Sequence, residues 1–181
     1  MNNIPITIVD DFLDNPEEVK NWALECDYAS PKNKVYPGRR TRPLQQIHPQ
    51  YTSYINRRIA SLFFSDKKDI SITADSYFYV IDDYKGKGWI HQDNFCKFTS
   101  ITYLSKGRNN GTAIYSPKTI FDLQKDEDVK YDHYRGKEVD REQFSKELNR
   151  NLDKYNVECI FDSSYNKMIG FDGSSHHGAL Y

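Results

Sequence analysis

The run Ile90-His91-Gln92-Asp93 sets an imidazole and a carboxylate two positions apart. In an extended strand, residues i and i+2 project from the same face. His91 and Asp93 would then reach one point together. A histidine and a carboxylate on a common face are two thirds of the 2-His-1-carboxylate set, which holds non-haem Fe(II) and leaves coordination positions open for O2 and an organic partner. A strand-end histidine beside a solvated aspartate is the commoner outcome of so short a motif, so the reading turns on where a second histidine lies.

The chain has five histidines: His48, His91, His133, His176 and His177. His48 precedes a proline that opens a helix, and His133 lies in the polar run YDHYRG. His176 and His177 follow an apolar strand (MIGF) and a turn, Asp172-Gly173-Ser174-Ser175, where a strand-borne ligand belongs. His177 is favoured as third ligand, with His176 the alternative.

These residues need a scaffold. Residues 4–9 read as a strand with Ile4, Ile6 and Ile8 on one face. Asp14-Asn15-Pro16-Glu17-Glu18 opens a helix, with Val19, Trp22, Ala23 and Cys26 as its buried stripe. Residues 30–43 carry Ser30-Pro31, Pro37-Gly38 and Arg42-Pro43 and are expected to be irregular. Pro49 opens a second helix with Tyr51, Ile55, Ile59, Leu62 and Phe63 on one face, so the N-terminal helices occupy about 15–64. Residues 66–69 read as a turn. Residues 70–82, 89–93, 95–104 and 112–115 are β-branched or aromatic and read as strands, separated by the glycine-bearing stretches 85–88 and 106–111. Asp140-x-x-Gln143 resembles a capping box and opens a helical insert over about 140–155, with the stripe Phe144, Leu148, Leu152 and Tyr155. Residues 157–161 and 167–171 read as closing strands. Clustered strands without βαβ alternation predict a mainly β fold, an antiparallel sandwich or barrel with flanking helices.

With 181 residues and 38% hydrophobic composition, the chain suits a single domain, 1–181, with a real core. A formal net charge of -1 argues against nucleic acid or an anionic membrane as the main partner. Three separated cysteines without CxxC spacing give no disulfide framework or zinc knuckle. The N-terminus has neither a basic start nor a long apolar run, so the expectation is a cytoplasmic protein.

The text around the motif resembles a known superfamily. YKGKGWIHQDN is similar to the Tyr-x-x-Gly…His-x-Asp segment of the 2-oxoglutarate/Fe(II)-dependent dioxygenases, in their prolyl-4-hydroxylase-like and nucleic-acid demethylase-like members. FTSITYLSKGRNNGTAIYSP resembles the strand–turn–strand that follows, with Tyr103-Leu104-Ser105 and Gly111-Thr112-Ala113-Ile114-Tyr115 in the matching places. NKMIGFDGSSHHG resembles the segment carrying the distal histidine, and the register from Phe171 places that histidine at His177. Together the three segments cover about residues 77–180. The resemblance implies a double-stranded β-helix (jelly-roll, cupin-like) core. It implies Fe(II) on His91, Asp93 and His177, with 2-oxoglutarate as cosubstrate beside Tyr84 and Tyr103. The reaction implied is hydroxylation by O2 of a small molecule or a side chain, coupled to decarboxylation of the cosubstrate to succinate.

The sequence departs from that pattern in one respect. Members of this branch commonly bind the distal carboxylate of 2-oxoglutarate with an Arg or Lys on a strand after the distal histidine, and only Gly178-Ala179-Leu180-Tyr181 follow His177. The expectation is a chain truncated before a final strand. The alternatives are a substitute cation (Arg39, Arg40, Arg42, Lys97 or Lys106) or a protein that does not use 2-oxoglutarate. Arg39, Arg40 and Arg42 on one loop form a candidate substrate contact, since guanidinium forks suit carboxylate or phosphate. The competing functional readings are a non-catalytic β-helix binding module with a vestigial metal site and a cupin-like metal enzyme without O2 chemistry. Cupins usually carry more histidines in the first motif.

Overall fold

Strand β1 (Thr7–Val9) leads into helix α1 (Pro16–Glu25), whose start is written in its first residues: Pro16 in the first turn, Glu17 and Glu18 at the positive end of the dipole. The computed structural model describes residues 5–29, 38–66, 69–81, 88–93, 95–107, 110–119 and 140–180. Val19 and Ala23 are buried and Trp22 and Cys26 pack beside them, as the spacing predicts. Strand β2 (Arg39–Arg40) pairs with β3 (Tyr79–Val80), and α2 (Leu44–Ile47) runs into α3 (Pro49–Phe63). After β4 (Phe98–Thr102) and β5 (Gly111–Pro117) come α4 (Arg141–Asp153), β6 (Tyr155–Asp162), β7 (Met168–Asp172) and β8 (His176–Leu180).

The longer strands form two antiparallel sheets, ordered β1-β7-β4 and β6-β5-β8. Alternation along β7 shows how they stack. Ile169 and Phe171 join Ile114 of β5, Ile101 of β4 and Cys159 and Phe161 of β6 in one cluster, so the sheets face each other across it. Met168 points the other way, into the core built with α1, α2 and α3. Gly170 shares that outer face, and a Cβ there would lie 2.3 Å from the ring of Phe63. On the far side, Ala113 and Tyr115 of β5 pack with Ile90, Tyr155 and Leu152 of α4. The order of layers is helices, sheet, sheet, helix.

Several expectations need correction. Residues 30–43 are not irregular throughout: Arg39–Arg40 pairs with Tyr79–Val80, and α2 follows at Leu44. Among the described residues of the strand expected over 70–82, only Tyr79–Val80 joins a ladder; just before it the chain meets a non-strand segment, with Leu44 N–H bonded to Ser76 O and Thr41 N–H to Phe78 O. High β-propensity without a strand partner gives no strand. Residues 89–93 make a single bridge, His91 to His177, in place of a strand. The strand expected over 95–104 narrows to Phe98–Thr102, and Phe95 is 88% exposed. In α3, Leu62 is exposed, because the inward row of buried Ile59 and half-buried Tyr51, Ile55 and Phe63 runs at i+4 spacing and leaves it on the flank. The helix near the end stops at Asp153, and Tyr155 is buried from β6. Asp140 does cap it, accepting from Glu142 N. Gly178, Ala179 and Leu180 continue the strand that carries His177, paired with β5. Ser30, Pro31, Pro37, Tyr84, Lys85, Gly86 and His133 lie outside the described residues.

Candidate metal centre

His91, Asp93 and His177 converge, each offering one ligand atom, and these atoms lie within 4.8 Å of one another. His177 is delivered by β8 with its ring against Phe171, at a centroid distance of 4.8 Å in the space between the sheets. His91 is delivered by the segment that runs beside β8. Its backbone N–H donates to His177 O at 3.0 Å, and His177 N–H returns the bond to His91 O at 2.9 Å. Gly88 N–H to Ala179 O and Asp93 N–H to Gly173 O flank the bridge. Gly88 is needed for the close approach, since a Cβ there would meet Ala179 N at 2.6 Å.

The imidazoles are oriented for metal. His91 Nδ1 lies 2.9 Å from Trp89 O, and His177 Nδ1 lies 3.0 Å from Ser175 O. A carbonyl only accepts, so each Nδ1 carries a proton and Nε2 is the ring atom left to meet a cation. Those Nε2 atoms flank the carboxylate: His91 Nε2 is 3.9 Å from Asp93 Oδ1 and His177 Nε2 is 3.6 Å from Asp93 Oδ2. Donors at right angles around one ion, each about 2.1 Å from it, lie about 3.0 Å apart, so both spacings are within about 1 Å of those in a shared facial site. Thr99 Oγ1 donates to Asp93 Oδ2 at 2.7 Å and fixes the carboxylate plane. The donor set of two neutral nitrogens and one carboxylate fits a divalent transition metal with positions left open.

The loop behind Asp93 closes on the β7–β8 turn. Cys96 N–H and Sγ both donate to Asp93 O, and burial pushes the thiol up, so it stays protonated. Gly173 is required there: a Cβ would lie 2.2 Å from Cys96 O and 2.8 Å from Asp93 O. Asp172 shapes the turn by accepting from Ser174 N–H, and Lys97 Nζ sits 3.6 Å from its carboxylate. Side-chain exposure falls from 39% at His91 through 21% at Asp93 to 6% at His177, so the site opens to solvent on the His91 side.

The remaining candidates fall in different places. His176 points to the opposite face of β8, its ring 5.0 Å from that of Tyr155, and burial lowers its basicity. The cluster therefore takes His177. Tyr103 lies in the intersheet cluster beside Phe171, its hydroxyl 2.7 Å from Thr112 Oγ1, and burial raises its pKa against the opposing effect of that bond. Tyr84 lies outside the described residues. Arg39 and Arg40 are on the β2–β3 ribbon, where the Arg40 guanidinium stacks over Tyr77 and Tyr79, and Arg42 is exposed. Lys106 is paired with Glu17 at 2.9 Å. Sequence reasoning missed Thr99, Gly173 and the carbonyls of Trp89 and Ser175. The only signal was positional, a carbonyl two residues before each histidine of the cluster.

A sheet-rich chain carrying a 2-His-1-carboxylate cluster between its sheets defines a candidate metalloprotein. The family model described as a family of unknown function (DUF6445) matches residues 1–180, and the chain belongs to that family. No curated protein and no solved structure matches it. Among the described residues, no helix is long and apolar enough to cross a membrane.

Proposed function

We propose that this protein is an Fe(II)- and 2-oxoglutarate-dependent dioxygenase, a hydroxylase, built on a double-stranded β-helix core. The observation that carries the reading is the convergence of His91, Asp93 and His177 with both imidazoles held in the Nδ1–H form. The facing antiparallel sheets, with the cluster's most buried member between them, support the core. The choice of 2-oxoglutarate rests on the three segments of sequence resemblance. Bound Fe(II) with 2-oxoglutarate would supply O2-driven hydroxylation of a C–H bond. The chain's own residues would do the rest. His91, Asp93 and His177 hold the ion. Thr99 keeps one carboxylate oxygen engaged. Phe171 and the intersheet cluster exclude water on the buried side, so a substrate approaches from the His91 side.

The test is anaerobic mixing with Fe(II) and 2-oxoglutarate, watched for the visible charge-transfer band of the chelate. The wild type should give the band, and His91→Ala and His177→Ala should lose it. Folded protein that binds Fe(II) without the band would remove 2-oxoglutarate from the reading. Folded protein that takes up no Fe(II), Mn(II) or Co(II) would favour the alternative of a non-catalytic binding module with a vestigial site. The absence of Arg or Lys on β8 beyond His177 is what keeps that second reading in play.

A further inference from the structure

Residue Ile90 immediately precedes the ligand His91, and its backbone is satisfied in an unusual way. In an antiparallel strand, the N–H and C=O of successive residues point to opposite edges. Those of His91 face β8 and bond to His177. Those of Ile90 face the other edge, where a further strand would normally lie. There a side chain of α4 replaces it: Asn151 Oδ1 accepts from Ile90 N–H at 2.9 Å, and Asn151 Nδ2 donates to Ile90 O at 3.3 Å. Both residues are buried. One carboxamide thus completes the ladder as a single-residue strand.

The peptide unit involved is the one that orients the imidazole. Trp89 C=O and Ile90 N–H belong to the same planar group. Its N–H end is held by Asn151, and its C=O end accepts the Nδ1–H of His91. The bonds form a chain from the α4 carboxamide through one peptide plane to the ring whose Nε2 faces Asp93. Successive bonds of this kind polarise one another, so the N–H bond to Asn151 strengthens the carbonyl as an acceptor. Phe144 of the same helix packs its ring 5.8 Å from that of Trp89 and steadies the plane from the side.

We infer that Asn151 is a positioning residue for the metal centre, acting on His91 through the Trp89–Ile90 peptide. The inference rests on the metal reading proposed above. A second buried asparagine supplies a matched control. Asn166 bridges Leu13 in the same two-bond manner, Leu13 N–H to Oδ1 at 2.8 Å and Nδ2 to Leu13 O at 2.9 Å, in the helix-side core. Its φ of 61° is one that glycine tolerates, so Asn166→Gly removes the two bonds without backbone strain.

The experiment compares wild type, Asn151→Leu, Asn151→Asp and Asn166→Gly by Co(II) titration, with thermal melts and amide exchange on the metal-free proteins. Asn151→Leu keeps the volume and loses both bonds. Asn151→Asp keeps the acceptor for Ile90 N–H and covers the case in which the leucine variant does not fold. Loss of a partner behind a ligating histidine costs about 10- to 100-fold in metal affinity. Asn151 stands one bond further out and Trp89 O remains, so Asn151→Leu should weaken Co(II) at the lower end of that range, about tenfold, Asn151→Asp by less, and both should speed exchange at Ile90. Asn166→Gly should lower the melting temperature and bind Co(II) as wild type does. Wild-type affinity in the folded Asn151 variants, or equal weakening in Asn166→Gly, would overturn the positioning role. Failure of the wild type itself to bind Co(II) would overturn the metal reading and the inference with it, a result distinct from either.

Discussion

His91 and His177 are oriented by the same local device: the Nδ1 of each meets the carbonyl of the residue two places before it, Trp89 O at 2.9 Å and Ser175 O at 3.0 Å. The two rings lie 4.4 Å apart on neighbouring segments, so each backbone both presents its ligand and sets its tautomer. His176 is adjacent in sequence and excluded by geometry, because consecutive strand residues face opposite ways. The expected outcome is a sharp split between neighbours. His177→Ala should abolish stoichiometric Co(II) uptake, while His176→Ala should leave uptake stoichiometric. Calorimetric titration of both variants decides it, and loss of uptake in the His176 variant alone would move the third ligand.

Thr99 should tune the centre without belonging to it. Its hydroxyl gives Asp93 Oδ2 a hydrogen bond at 2.7 Å. Thr99→Val keeps the branched shape that suits a strand and removes the hydroxyl, with its bond to Asp93 and its 3.5 Å contact with Cys96 Sγ. Outer partners of this kind are worth about tenfold or more in metal affinity. The variant should fold normally, bind Co(II) about tenfold more weakly and keep the one-to-one stoichiometry. Unchanged affinity would mean that the carboxylate is held by its backbone alone.

The three residues of the candidate cluster were legible because their positions depend on local periodicity and on type. His91 and Asp93 stand at i and i+2, and His177 follows an apolar strand and an Asp-Gly turn. The helices were legible for the same reason: Val19 and Ala23, or Tyr51, Ile55 and Ile59, repeat at helical spacing over a long window. What failed was anything set by a distant partner. Residues 70–78 have strand composition and no strand, because the segment opposite them is not one. The partners that orient the site, Thr99 and Asn151, lie 6 and 58 positions from Asp93 in the chain and carry no motif of their own. Which hydroxyl or carboxamide reaches a ligand is decided by packing, and packing has no signature in a single sequence.

Gly173 marks where the loop carrying Asp93 meets the β7–β8 turn. A methyl group there would sit 2.2 Å from Cys96 O and 2.8 Å from Asp93 O, both backbone atoms that cannot step aside alone. Gly173→Ala should therefore push residues 93–96 outward. Overpacking of this sort costs about 1–3 kcal/mol. The prediction is a lower melting temperature together with weaker Co(II) binding, because the displaced backbone carries Asp93. A destabilised variant with undiminished metal affinity would show that the loop moves without its ligand.

The last prediction concerns the network that ties the start of α1 to α3, far from the metal cluster in sequence. The Tyr54 hydroxyl donates to Asp14, and Arg58 lies 3.0 Å from the same carboxylate. The Tyr54 hydrogen bond, aided by the Arg58 charge and opposed by partial desolvation, holds the Asp14 carboxyl below its ordinary value of 3.8. A folded state that lowers a carboxyl pKa binds its proton less readily than the unfolded chain does. The stabilisation is therefore fully present above pH 3.8 and is lost as the pH falls through the lowered value. Asp14→Asn cannot ionise, so its melting temperature should fall below that of wild type at pH 7, and the gap should close as acid protonates Asp14 in the wild type. Thermal melts of both proteins between pH 7 and the acid limit of folding would test this. A gap that stays constant across the range would show that the carboxylate is screened by solvent and contributes nothing to the tie between the helices.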